Sequence, residues 1–374
     1  MNDELPKWID YGLIPFFNLV VAFLVAGLVV LFVGENPLEA ARLMVKGAFG
    51  YGSGIGFTLF YATNFIFTGL AVAVAFHAGL FNIGGEGQAL VGGLGAALVA
   101  MALGTILPWY VNFPLLILGT ALFGALWALI PAWLQATRGS HIVITTIMFN
   151  FIGAALVTYL LSGALRPDGS MEPASAPFPP GAQIPKMDWL MGWLGIDIRS
   201  APFNISFLVA LLAAYLVWLL IWRTRFGYEV RTTGVSPSAA VYAGIPQTRT
   251  IIVVMLISGA LAGMMAMNTV VGSEARYTLD NVAGAGFVGI AVALMGRSHP
   301  AGIIPAAILF GALYQGGAEL AFDMPAITRD MIVVIQGLVI LFAGAMEHMF
   351  RPSITAIVRN RRGAVAASAA QAAE

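Results

Sequence analysis

A short polar segment interrupts one of the most apolar regions of this chain. Residues 81–88 read FNIGGEGQ, with a carboxylate at Glu86, amides at Asn82 and Gln88, and glycines between them. These side chains could bind a polar solute along a path, or they could hold the glycine-rich backbone in shape by accepting its free N–H groups. A tight turn with Glu86 in water is the third interpretation. Residue types alone leave all three open.

Other catalytic or metal-binding patterns are missing from the sequence. The chain has no cysteine, which excludes disulfides and thiol catalysis. Its four histidines form no H-x-x-x-H pair, and no G-x-S-x-G nucleophile elbow occurs. None of the lysines, Lys7, Lys46 and Lys186, lies in a GxxxxGK[ST] phosphate-binding loop. We therefore expect no catalytic residue, no metal site and no ATP site on this chain.

The elements that position these residues are predicted to be membrane helices. The 374 residues are 59% hydrophobic and only 10% charged, with a mean hydropathy of +0.88. Soluble domains carry about 25% charged residues, so this composition indicates an all-α integral membrane protein. The net charge of zero, with no extended basic run, argues against nucleic acid as a partner.

The chain supplies about ten apolar runs of the kind that span a bilayer. The third and eighth are short and rich in glycine, so we expect tilted, broken or re-entrant spans there. The predicted runs are 13–33, 56–76, 87–103, 113–134, 142–162, 204–222, 251–271, 284–297, 301–319 and 330–350. We predict one polytopic domain over residues 1–350, followed by a basic, alanine-rich tail over 351–374.

The distribution of Lys and Arg predicts the orientation. Basic residues concentrate in 223–249 and in the tail segment IVRNRRG, so we place both termini and both segments in the cytoplasm. The longest loop, 163–203, then lies outside. Its prolines disfavour regular structure, although Trp189 and Trp193 suit a short interfacial helix. The loop is interpreted as a plug or hairpin, or as a docking surface for an outside partner.

Within the basic segment, SPSAAVYAG describes a short helix. Ser236 is a good N-cap, Pro237 suits the first helical position, and Gly244 can end the helix in a left-handed conformation. An isolated helix of this length needs a surface to be stable. It lies either on lipid headgroups or, as we prefer, against a soluble partner.

Five stretches in order resemble the permease subunits of bacterial nucleoside-type ABC importers, within the wider group of sugar and branched-chain amino-acid permeases. FNIGGEGQ is similar to the family's FNIG-x-EGQ signature. The others are NPLEAARLMVKGAFG (36–50), GSHIVITTIMFNFI (139–152), RTTGVSPSAAVYAGI (231–245) and GFVGIAVALMGRSHPAGIIPAAILFGAL (286–313). Where the family often has Glu in the third stretch, this chain has Ile142.

This resemblance implies a ten-span fold of two pseudo-repeated halves in the bacterial cytoplasmic membrane. The echo between GLAVAV (69–74) and GIAVAL (289–294) does not itself demonstrate the repeat, because both hexamers are predicted to run the same way. The implied partners are an ATP-binding subunit that carries ATP and Mg, a second and different permease chain, and a periplasmic or lipid-anchored substrate-binding protein. No cofactor is expected on this chain itself.

The resemblance also implies two sets of site residues. A cytoplasmic coupling helix at about 231–245 would engage the ATPase through Arg231, Gly234, Ser236, Pro237, Ala240, Tyr242 and Gly244. The candidates for the solute path are Phe81, Asn82, Glu86, Gln88 and Asn150. Nucleosides are the first expected substrate and simple sugars the second. An ion-coupled secondary transporter is the rival class, since it would also show broken glycine-rich helices.

Overall fold

The protein is described by a computed structural model over residues 14–193, 195–328, 331–338 and 341, and these residues form helices and loops without a β-strand. The helices are α1 Ile14–Phe32, α2 Pro37–Phe49, α3 Gly52–His77, α4 Gly85–Leu103, α5 Trp109–Arg138, α6 Ile142–Ser162, α7 Asp188–Trp193, α8 Ser206–Arg223, α9 Arg225–Val235, α10 Pro237–Tyr242, α11 Gln247–Ala266, α12 Ala285–Met295 and α13 Pro300–Asp323. A π-helical turn, Met267–Glu274, continues α11.

Within the described residues, seven helices are long and apolar enough to cross a membrane, or eight if one bent pair is a single span. The integral membrane fold is therefore confirmed. Each predicted run up to 301–319 coincides with a helix, and α12, the short eighth run, has only 11 residues. The last run is helical at 331–338 and 341, and its remaining residues and the tail lie outside the described residues. The count of ten spans remains a prediction.

One element departs from the predicted run pattern. The segment after the first run folds as α2, which is bent by 116° from Val20–Phe32. The chain turns at Gly34, whose φ is +88°, and the Asn36 side chain accepts a hydrogen bond from the Leu38 N–H. This helix start explains the NPLEA stretch locally, because Asn caps the orphan N–H groups and Pro tolerates the first turn.

The chain divides into two compact units, Met1–Met44 with Gly317–Glu374, and Val45–Gly316. In the first, Gly317 packs against Ile332. The second holds α3 to α12 and contains every candidate site residue. The single domain over 1–350 remains a prediction.

Small residues bring the helices of the second unit close together. A Cβ atom at Gly92 on α4 would lie 2.5 Å from the Cα atom of Gly263 on α11, and one at Gly263 would lie 3.0 Å from the Cα atom of Gly124 on α5. Such approaches let membrane helices gain van der Waals contact where the hydrophobic effect between helices is weak. Glycine is therefore the residue that these crossings require.

The two ends of the second unit are distinguished by their loops. At one end, called here the loop end, residues 163–203 pack over the bundle, with Met187, Ile198 and Phe203 buried together. Trp189 and Trp193 lie in α7, as their spacing predicts. At the other end, called the α10 end, Gly234 packs on the terminus of α3 at His77.

Candidate functional site

The polar segment 81–88 turns back into the helix bundle after α3 ends. Asn82 is 1% exposed, and its Nδ2 donates to Ser258 Oγ at 2.8 Å. Ser258 in turn donates to the carbonyl oxygen of Ala71, six residues before the end of α3 and so about 9 Å from it along the helix. The interpretation of this segment as a turn in water is therefore wrong, because its backbone lies among neighbouring helices.

The two amides of the segment bond to one another and close the turn before α4. Asn82 Nδ2 donates to Gln88 Oε1 at 2.9 Å, and Gln88 Nε2 donates to Asn82 Oδ1 at 3.2 Å. The same Asn82 Oδ1 accepts from the Gly84 N–H. This arrangement satisfies polar groups that would otherwise be unpaired at depth, a requirement for irregular backbone inside a membrane.

Asn150 fixes the segment from the middle of α6. Its Oδ1 accepts from the Gly87 N–H at 2.8 Å, and its Nδ2 donates to the Ile83 carbonyl oxygen at 2.9 Å. A Cβ atom at Gly87 would lie 2.9 Å from the Cα atom of Asn150. The FNIGGEGQ and TTIMFN stretches therefore form one interlocked unit.

Glu86 joins two helix N-termini. Its Oε1 accepts from the Gly284 N–H at 2.8 Å and its Oε2 accepts from the Gly286 N–H at 2.9 Å. The first N–H groups of a helix have no partner within the helix, and a carboxylate there is favoured by the helix dipole. Glu86 thus caps α12 while belonging to the first turn of α4.

The helices α4 and α12 leave this junction toward opposite ends. Gly104, after α4, packs beside Ala182 in the long loop, whereas Ser298, after α12, accepts a hydrogen bond from His77 at the α10 end. With 11 residues, α12 is about 16 Å long, or half of a bilayer core of about 30 Å. We call the meeting of Glu86 with Gly284 and Gly286 the α4–α12 junction.

A cavity of about 310 Å³ opens on the loop side of this junction. Aromatic rings make much of its wall, and the Tyr314 ring lies 5.0 Å from Phe65 and 5.7 Å from Tyr61, centroid to centroid. Polar groups come from Asn64, Thr269 and Asn281. The lining residues are Phe57, Phe60, Tyr61, Asn64, Phe65, Pro202, Thr269, Ser273, Glu274, Asp280, Asn281, Val282, Ala283, Ala285 and Tyr314.

The lining carries carboxylates but no cation. Glu274 and Asp280 are its charged residues, and both are exposed. Nearby Arg276 is bound to Glu172 at 2.7 Å, and that hydrogen bond raises the pKa of the guanidinium. Among the described residues, no three His, Asp or Glu side chains form a group that could hold a metal ion. The cavity therefore suits a neutral solute with apolar faces and polar edges.

Part of the cavity wall is formed by the π-helical turn Met267–Glu274. An amide chain lies behind it: Asn268 Nδ2 donates to Asn64 Oδ1 at 2.7 Å, and Asn204 Nδ2 donates to Asn268 Oδ1 at 2.8 Å. Single π turns inside helices are frequent at functional sites. The amides Asn64 and Asn268 inside apolar runs were visible in the sequence, but nothing in it predicted the π turn, whose Thr269 lines the cavity.

The structure brings four of the predicted path residues together: Asn82, Glu86, Gln88 and Asn150 surround the α4–α12 junction. Phe81 lies beside them, with its ring centroid 5.1 Å from that of Phe76. In the described part of the chain, none of the five lines the cavity. A direct contact of these residues with solute remains a prediction.

The short helix at the α10 end has the caps that its sequence predicts. Ser236 Oγ accepts from the Ala239 N–H, Pro237 begins α10, and Gly244 has a φ of +73°. Ala240 is buried, while Tyr242 is 93% exposed. The local helix prediction is confirmed.

The approximate coupling segment 231–245 contains the end of α9 and all of α10, because the chain breaks at Ser236. Arg231 and Gly234 belong to α9, where Arg231 donates to the Ile221 carbonyl oxygen and Gly234 packs against Gly79. Pro237 cannot donate the N–H that a continuous helix needs, which accounts for the break.

Comparison with known proteins identifies the family. Residues 54–344 match the family described as "Branched-chain amino acid transport system / permease component". The glucose ABC transporter permease protein TsgB13 of Haloferax volcanii is 33% identical, over 96% of this chain and 93% of the relative. The guanosine ABC transporter permease protein NupP of Bacillus subtilis is 32% identical, over 91% and 94%. The nucleoside ABC transporter permease protein NupB of Lactococcus lactis is 31% identical, over 91% and 92%.

The match covers most of the chain and the relatives are similar over nearly their full lengths, in agreement with the helical membrane fold and the order of the five sequence stretches. The chain belongs to this family of permease components and is an ABC transporter permease.

Proposed function

We propose that this chain forms the translocation path for nucleosides in an ABC importer. The observation that carries the proposal is the cavity beside the α4–α12 junction. Its aromatic rings suit the π-face of a nucleobase, and its amide and hydroxyl groups suit base and ribose edges. Its volume of about 310 Å³ is at the lower end of ligand pockets, about 300 to 1,000 Å³.

The charge of the lining favours nucleosides over amino acids, the class of solute that the family description names. An amino acid carries a carboxylate, and the lining offers that group no Arg or Lys. Glu274 and Asp280 would repel a phosphate as well as a carboxylate. A neutral solute avoids both costs.

The energy source is proposed to be a separate ATP-binding subunit, which holds ATP and Mg and docks at α10. Support comes from the exposed side chains at this end: Val235 is 87% exposed, Val241 61% and Tyr242 93%. Exposed apolar groups of this kind mark interaction sites. In this arrangement the α10 end and both termini lie in the cytoplasm of a bacterial cell, and the loop end faces outward.

The remaining subunits of the transporter are proposed to be those of an ABC importer. A periplasmic or lipid-anchored binding protein delivers the solute to the loop end, and a second, different permease chain completes the path. Movement at α9 and α10 would reach the α4–α12 junction through Gly234, which packs on the His77 terminus of α3, and through His77, which bonds to Ser298 after α12. Opening this junction would expose the cavity to the other side, giving alternating access.

Import of a simple sugar is the second candidate. The relative from Haloferax volcanii is named as a glucose permease, and a sugar is also neutral with apolar C–H faces. An ion-coupled transporter has less support, because both carboxylate oxygens of Glu86 accept backbone hydrogen bonds, so protonating it would break a structural contact.

The test is uptake into vesicles that contain this chain with its partner subunits. We expect import of guanosine or uridine that requires ATP inside and the binding protein outside. Glucose is offered in parallel, and its preferred import would select the second candidate. Uptake by this chain alone from a proton or sodium gradient would exclude the ABC mechanism.

A further inference from the structure

Two cavity residues have side-chain oxygens without a hydrogen-bond partner. Within the described part of the chain, Thr269 Oγ1 and Asn281 Oδ1 are buried and accept or donate no hydrogen bond. Thr269 is 7% exposed and Asn281 is 6% exposed, and both residues line the cavity. Leaving such a group unpaired is unfavourable, because it has lost its hydrogen bonds to water without gaining others.

Neither oxygen is used by a neighbouring protein group among the described residues. Asn281 Nδ2 donates to the Thr278 carbonyl oxygen at 3.0 Å, so the amide is held with Oδ1 as its free acceptor. Thr269 lies in the π-helical turn. By contrast, Thr63, Thr68 and Thr120 each donate to a carbonyl oxygen of their own α-helix.

Both oxygens are closed off from solvent in this conformation. A solute therefore reaches them only after these side chains move, and staggered rotamers allow Thr269 to rotate about χ1. Both oxygens keep their hydrogen-bonding capacity unused by the described part of the protein.

We propose that Thr269 and Asn281 form a solute-binding subsite within the permease itself. An uncharged solute donates a hydrogen bond to Asn281 Oδ1 and forms a second hydrogen bond with the Thr269 hydroxyl. The carboxylates of Glu274 and Asp280 select against phosphorylated analogues of the same solute. This inference rests on the proposed function and deepens it. Selection then occurs in the membrane path as well as in the binding protein.

The first experiment measures ATP-driven uptake of whichever of guanosine, uridine and glucose the wild-type transporter imports. Thr269→Val and Asn281→Leu each remove one hydrogen-bonding oxygen, so each should lower uptake efficiency about three- to tenfold. Thr269→Ser keeps a hydroxyl and should restore most of the uptake. The thermal unfolding midpoint of every variant checks that it is folded.

Thr120→Val is the matched control. Thr120 is fully buried on α5, its hydroxyl donates to Ile117 in its own helix, and it is not a lining residue of the cavity. The same chemical change there should leave uptake unaltered. An equal loss in Thr120→Val and Thr269→Val would overturn the subsite, because the effect would then follow from losing any buried hydroxyl.

The second experiment measures equilibrium binding of radiolabelled guanosine, uridine and glucose to the purified full chain in lipid nanodiscs. We expect saturable binding that is weakened in Thr269→Val and Asn281→Leu. Guanosine monophosphate should fail to displace guanosine from wild type and should displace it from the Glu274→Gln/Asp280→Asn double variant.

The outcomes separate this inference from the proposed function. Nucleoside import with unchanged uptake and binding in both variants overturns the subsite and leaves the proposed function standing. A transporter that imports neither nucleoside contradicts the proposed function, and the subsite is then decided by glucose uptake and by the binding experiment. If none of the three solutes binds saturably to the purified chain, the subsite is overturned.

Discussion

At the scale of single residues, Glu86 shows how a carboxylate deep in a membrane protein is accommodated without a cation. Its two oxygens accept from Gly284 and Gly286, the N–H groups that an interrupted helix leaves unpaired. An unpaired backbone group at this depth costs several kcal/mol. Capping α12 therefore explains why a carboxylate is tolerated at position 86 even without any contact to solute. The role of Glu86 in transport remains a prediction.

We predict that Glu86→Gln weakens the α4–α12 junction. The amide keeps one acceptor oxygen but turns its NH₂ group toward a backbone N–H, so one of the two hydrogen bonds is lost. The free energy of unfolding should fall by about 1–3 kcal/mol, with reduced uptake. Thermal unfolding in detergent and vesicle uptake measure the two effects.

Asp168→Asn is the control for the loss of charge, since Asp168 is exposed in the long loop. This variant should change neither the free energy of unfolding nor vesicle uptake. Glu86→Gln with unaltered stability but altered solute preference would contradict the capping role and favour direct contact with solute.

At the scale of elements, close backbone approach holds α4, α5 and α11 together. The glycines at these crossings leave no room for a methyl group, because the neighbouring atom is backbone and cannot rotate away. The long apolar runs of the sequence indicated the spans, whereas the pairing of Gly92 with Gly263 depends on how two distant helices cross.

We predict that Gly92→Ala destabilises the protein by about 1–3 kcal/mol, the usual cost of overpacking, despite the better helix propensity of Ala. The free energy of unfolding in a graded denaturant reports it. Gly192→Ala is the matched control, because a Cβ atom built there has none of the described residues within 4 Å, apart from its chain neighbours and its own helix backbone. Equal stability of the two variants would mean that the α4–α11 crossing is looser than described.

The helix α10 is the second element with a testable role. Tyr242 is 93% exposed, so Tyr242→Ser should leave the fold intact. If α10 docks on the ATPase, truncating this aromatic contact should weaken subunit binding roughly tenfold, as for interface residues that each contribute more than about 1 kcal/mol. Co-purification and ATP-driven uptake measure the loss.

Tyr110→Ser provides the control at the opposite end, where Tyr110 is 64% exposed. Its subunit binding should match wild type. If Tyr242→Ser binds the ATPase as tightly as wild type does, the alternative that α10 lies on lipid headgroups is favoured.

At the scale of the whole molecule, the proposed orientation can be tested directly because the chain has no cysteine. Met171→Cys is at a 98% exposed position in the long loop, and Val235→Cys is at an 87% exposed position at the end of α9. We expect a membrane-impermeant maleimide to label Met171→Cys in intact cells and Val235→Cys only after lysis. The reverse pattern would show that the orientation is the opposite one, and labelling of both variants in intact cells would contradict the span α8 between them.

Much of the membrane fold could be predicted from sequence, since 20-residue apolar runs have few stable alternatives to helices in a bilayer. The caps of α10 were equally predictable, because Ser236, Pro237 and Gly244 act on their own backbone neighbours. The bend after α1 was missed, because a short polar interval between apolar runs fits a loop as well as a sharply bent pair of helices.

The sequence by itself therefore determined the membrane class, the position of most helices and the family, because these depend on local composition and on the order of short stretches. Only the tertiary structure decided what the polar residues contact. Hydrogen-bond partners such as Glu86 and Gly284, or Asn82 and Ser258, are 198 and 176 residues apart. Their pairing follows from helix packing rather than from any local preference. The same packing creates the cavity at Thr269 and Asn281, whose lining comes from several separate elements.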